Sequence, residues 1–198
     1  MPVEHVNRCG DKYVLQAGKT KTGKPRYWFG RKLSGERVEV IPEGFEIHER
    51  PEDGQVFLRK KIPSAITPME KELVAEGIRR LAEIQHFLIH QQGNSLVVYL
   101  PDRDPAGVSR IFREIFGATE AVAAEMQQWS LAHTSYSKMM RFTLIDEESR
   151  LFSAERWCFR GSIDDWIPLG KRAPLDFLVE HYAPHLGNES FYDLLPGF

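Results

Sequence analysis

Cysteine is scarce in this sequence: Cys9 and Cys158 are the only two among 198 residues. Two thiols cannot build a secreted disulfide scaffold or, alone, a four-ligand zinc site. Long apolar runs are missing too. The longest, Leu96-Val97-Val98-Tyr99-Leu100, falls far short of the roughly 20 residues that span a membrane. The N-terminal residues have neither the apolar core of a signal segment nor an arginine-rich, acid-free amphipathic pattern. These absences point to a reducing, soluble setting, so the expectation is a cytoplasmic protein with no membrane partner and no cofactor. Catalytic signatures are also lacking. There is no G-x-S-x-G and no H-E-x-x-H, and Pro101-Asp102 opens a P-D…E-x-K pattern that no E-x-K completes.

What is present is an ordinary globular composition, with 42% apolar, 11% aromatic and 27% charged residues. The length suits one domain or two small ones sharing a core. Charge, however, is unevenly placed. Residues 12–33 hold five lysines, two arginines and no acid, so this stretch carries +7 in a chain whose total is −2, and the remainder carries −9. The residues from 173 to the end contain four acids and no lysine or arginine, and they finish in an aromatic run that includes Phe191, Tyr192 and Phe198.

Periodicity reads as strands first. Segments 13–16 and 26–32 flank the polar link 18–25, as in a hairpin, and further strands are expected at 38–41, 45–49 and 55–61, separated by Gly- and Pro-bearing turns. Thr67, Pro68 and Glu70 form a capping box for a helix whose Leu73, Val74, Ile78, Leu81 and Ala82 make one apolar stripe. A hairpin through Gly93-Asn94 follows. Asp104-Pro105 opens a second helix, Thr119 caps a third, and 138–145 pairs with 151–159. Ser162 with Asp165 looks like another helix cap, and Pro174 begins a last helix. The expected class is α+β, with N-terminal antiparallel hairpins and then helices packed around further β-hairpins. The expected division is a basic β-rich part at 1–62, a helix plus hairpin at 63–101, and a helical part with a central hairpin at 102–198, all within one or two compact domains.

Four places invite a chemical reading. The residues from Gly18 to Lys24 fit the start of a phosphate loop, but Pro25 stands where Ser or Thr should hold magnesium, and Tyr27-Trp28-Phe29 reads as strand. As a surface the same hairpin is more promising. Strand alternation places Arg26, Trp28 and Lys32 on one face, and with Lys19, Lys21 and Lys24 they offer cations beside an aromatic plate, the chemistry of phosphate contact and base stacking. His86 and His90 would reach one metal ion if helical but not if extended, and no metal is expected. Residues 146–165 are dense in acids and arginines. Asp164 and Asp165 suit the first turn of a helix, while Glu155 shares a strand face with Ser153 and Trp157 and calls for a partner such as Arg141. Cys9, beside Arg8, has a neighbour that would lower its pKa.

The leading expectation is a non-catalytic binding or accessory protein that lays the basic aromatic hairpin on nucleic acid or an acidic protein surface. The rival is an enzyme, in its sharpest form a metal-assisted hydrolase, with a carboxylate site near Glu155 and Asp164 joined by His133. The third is a subunit of a protein assembly, homo-oligomeric or otherwise, using the aromatic C-terminus.

Overall fold

The computed structural model describes residues 1–103, 105–158 and 164–194. The expected caps Asp104 and Ser162, and the tail residues 195–198, lie outside the described residues. The chain divides into two compact units, Met1–Lys61 with Pro101–Tyr136, and Ile62–Leu100 with Ser137–Phe198. Among the described residues there are four α-helices and twelve strands with antiparallel pairing, so the α+β class and the N-terminal hairpins are borne out. No helix among them is long and apolar enough to cross a membrane.

In the first unit, β1 (Glu4–Val6), β2 (Lys12–Lys19) and β3 (Pro25–Gly30) form a sheet in that order, and the short β4 (Glu36–Arg37) also pairs with β2. A second hairpin joins β5 (Phe45–Glu49) to β6 (Val56–Lys60). Alternation along β2 turns Tyr13 and Leu15 inward, and they close a small core with Phe29 and Val56. The expected strand at 38–41 does not form, and the pairing with β2 is made just ahead of it by Glu36–Arg37. Val38 leaves the ladder after donating to Leu15 O (3.1 Å) and accepting from Val3 N (2.8 Å), and its side chain packs on the core. A helical hairpin, α2 (Pro105–Glu114) and α3 (Glu120–His133), completes this unit, with Gly117 (φ +63°) in the turn and Thr119 capping α3.

In the second unit, α1 (Pro68–Leu81) begins with the capping box read from sequence: Thr67 Oγ1 accepts from Glu70 N, and Glu70 accepts from Thr67 N at 2.8 Å. The two-residue turn Gly93-Asn94 links β7 (Leu88–Gln92) to β8 (Ser95–Pro101). The sheet runs β11–β10–β9–β8–β7, where β9 is Tyr136–Asp146, β10 is Leu151–Cys158 and β11 is Asp165–Pro168, and β12 (Ala173–Pro174) pairs with β10. Helix α4 (Leu175–Tyr182) and α1 cover one face. Val74 and Ile78 of α1 and Leu178 of α4 meet Met140, Phe142 and Phe152 of the sheet there. Burying each of these large side chains contributes about 1.5–3 kcal/mol. Asp165 belongs to a strand opposite Cys158, not to the first turn of a helix. The helix-dipole role expected for Asp164 and Asp165 therefore fails.

Candidate functional site

The basic hairpin has a defined tip. Thr20 N donates to Lys24 O and Gly23 N to Thr20 O, both at 2.9 Å, while Lys24 N donates to Thr20 Oγ1 at 3.1 Å. Gly23 adopts φ +80°, the left-handed residue that closes a three-residue hairpin loop. Strand, turn and strand occupy the stretch where a phosphate loop would have to open a helix. Lys21 and Lys24 thus project from an ordered turn into solvent.

Cross-strand pairing sets the faces. Gln16 lies opposite Trp28, Gly18 opposite Arg26, and on the other side of β2 Gln16 lies opposite Arg37. Directly opposed residues share a face, so Arg26, Trp28 and Arg37 stand together. The Arg26 guanidinium sits 5.6 Å from the centre of the Trp28 ring. The indole is half-buried because glycines let it lie down. A Cβ on Gly18 would come within 3.0 Å of the ring, and one on Gly35 within 2.7 Å. Beneath it, the fully buried Gln16 anchors the loop after β3: Oε1 accepts from Ser34 N (2.6 Å) and Gly35 N (2.9 Å), and Nε2 donates to Lys32 O (2.9 Å). Tyr27 lies on the opposite face, that of Leu15 and Phe29, and is 39% exposed.

Strand β3 ends at Gly30, so Lys32 does not continue the Arg26–Trp28 face and sits instead in the loop that Gln16 holds. Arg37 takes a place on that face. It was missed because a two-residue strand leaves no periodic signal. Acids of the same unit answer the cations at the base of the hairpin: Lys12 pairs with Glu4 (2.6 Å) and Arg31 with Asp11 (3.2 Å). Among the described residues, Lys19, Lys21, Lys24, Arg26 and Lys32 form no such ion pair.

The acidic candidates do not converge. Glu155 is bound by Arg141 through Nε (2.6 Å) and Nη2 (2.8 Å), the partner that the strand alternation called for, and its side chain is 15% exposed. Arg141 also lies 4.5 Å from the Trp166 ring, which meets Trp157 edge-on at 5.0 Å. Glu155 is opposite Pro168 and Asp164 is four residues further along, about 13 Å at 3.3 Å per residue. His133 ends α3 of the first unit, where Nδ1–H donates to Trp129 O at 2.9 Å and the two rings stack at 4.4 Å. His90 lies in β7 and His86 in the segment before it, so the pair lacks the helical spacing that would aim both at one ion. Among the described residues, no group of three His, Cys, Asp or Glu is placed to hold a metal. Cys158 is buried. Cys9 Sγ donates to Ala132 O at 2.9 Å, and burial pushes its thiol pKa up despite the opposing charge of Arg8, which corrects the expected lowering. Comparison with family models, curated proteins and solved structures finds no match to this chain.

Proposed function

We propose that this protein is a non-catalytic binding or accessory protein that grips the phosphate backbone of nucleic acid with the β2–β3 hairpin. The observation that carries this reading is the segregation of charge at the hairpin. Lys19, Lys21, Lys24 and Arg26 are exposed and outside any ion pair among the described residues, while Lys12 and Arg31 at its base are paired. Phosphates attract such unneutralised cations and release condensed counterions on binding. The Arg26–Trp28–Arg37 face adds a flat aromatic surface between cations, which suits an unpaired base better than a carboxylate-bearing protein surface. Single-stranded nucleic acid is therefore the favoured ligand, bound with little dependence on sequence. The two free cysteines fit a reducing compartment such as the cytoplasm. Glu155, held by two bonds from Arg141, supports a structural role over an acid–base one.

The test is fluorescence anisotropy of a labelled single-stranded oligonucleotide, with polyglutamate as competitor. The expected result is binding that Lys21→Glu with Lys24→Glu abolishes and that polyglutamate displaces poorly. No anisotropy change at micromolar protein would refute the reading, and stronger displacement by polyglutamate would transfer the site to an acidic protein.

A further inference from the structure

The second unit carries a groove of about 1210 Å³ between α1 and α4. The helices cross closely at Gly77, where an added Cβ would lie 2.2 Å from Val179 Cγ1. Leu73 and Val179 line the groove, and Met69 on its α1 side is 82% exposed. The charged lining is mainly acidic. Glu72 is answered by Arg79 and Glu180 by Arg80, each at 2.9 Å. Glu76 and Asp176, facing the groove from the two different helices, are exposed and have no ion pair among the described residues.

We infer that this groove docks a basic amphipathic helix of a partner protein. Size favours a helix: at a diameter of about 10 Å, the volume accommodates roughly three turns, beyond the 300–1,000 Å³ usual for small-molecule pockets. Charge chooses among helices. An apolar stripe would cover Met69 and the partly buried Leu73 above the buried Gly77–Val179 crossing, while lysines or arginines flanking it would meet Glu76 and Asp176 from either side. The chain's own basic hairpin is a poorer occupant, because its tip (Thr20, Lys21, Thr22, Gly23 and Lys24) has no apolar stripe to set on that lining.

The probe is a short labelled synthetic helix of leucine and lysine in amphipathic order, compared with a leucine–glutamate helix of the same pattern. The leucine–lysine helix binds the full chain, and Glu76→Gln with Asp176→Asn weakens it at least about tenfold while far-ultraviolet circular dichroism shows the fold retained. The leucine–glutamate helix does not bind. Three results overturn the inference: no binding of the leucine–lysine helix, equal binding by wild type and double variant, or equal binding of both peptides. A chain that sediments as a dimer and becomes monomeric on the double substitution also overturns it, by giving the groove to a second copy.

Discussion

Gln16 decides the local geometry of the hairpin more than any lysine does. Its amide reaches across β2 to satisfy two backbone N–H groups and one carbonyl of the loop at residues 32–35, and nothing in its neighbours marks it as fully buried. Replacing it with Ala strands those groups, so Gln16→Ala should lower stability by about 1–3 kcal/mol in urea unfolding. Trp28 is a different kind of residue. Gly18 and Gly35 hold its ring flat, and Arg26 lies over it. Trp28→Ala should therefore weaken oligonucleotide binding by about 1–3 kcal/mol, the worth of one stacked base, while leaving the salt dependence unchanged. The alternation of Arg26 and Trp28 was legible in the sequence because strands have a period of two. The glycine bed was not, since Gly35 reaches Trp28 only after β4 pairs with β2.

Among the elements, a signal whose partners lie within a turn or two of chain is legible in the sequence, and one that waits for a distant partner is not. The Thr67–Pro68–Glu70 start of α1 is legible because all its partners lie within one turn. Its second tie is invisible from sequence: Arg150, 80 residues away, binds Glu70 from Nε at 3.0 Å and also donates to Ala65 O at 3.1 Å. Arg150 makes these contacts from the left-handed region, with φ 49°, in the turn between β9 and β10. Both Arg150→Ala and Arg150→Gly remove the ion pair, but only glycine relieves the backbone. The glycine variant should be the more stable of the two by about 1 kcal/mol in thermal unfolding. Burial pushes the Glu70 carboxyl up, yet the bonds from Arg150 and Thr67 outweigh it and hold the pKa below the usual value. The folded state thus holds this proton more weakly than the unfolded chain. The contribution is complete above the unfolded value of about 4.3 and fades as pH falls below it. Glu70→Gln should destabilise the protein at neutral pH, and the gap from wild type should shrink below about pH 4. The expected strand at 38–41 and the helical first turn at Asp165 failed because apolar alternation and acid placement are weak signals until a pairing partner fixes the element.

At the scale of the whole molecule, a near-neutral total hides two oppositely charged surfaces on two units. The first unit presents the unpaired cations of the hairpin, and the second presents the groove acids Glu76 and Asp176. The basic stretch was visible as a run of residues, whereas the groove needed α1 and α4, distant in sequence, to meet at Gly77 and Val179. The salt dependence of single-stranded oligonucleotide binding counts the phosphates that the hairpin meets. If Lys19, Lys21, Lys24, Arg26 and Arg37 each meet a phosphate, log K against log salt should fall with a slope of about −3.5, and Lys21→Ala with Lys24→Ala should reduce it to about −2. A slope near zero, or one that this double substitution leaves unchanged, would contradict the hairpin as the binding surface.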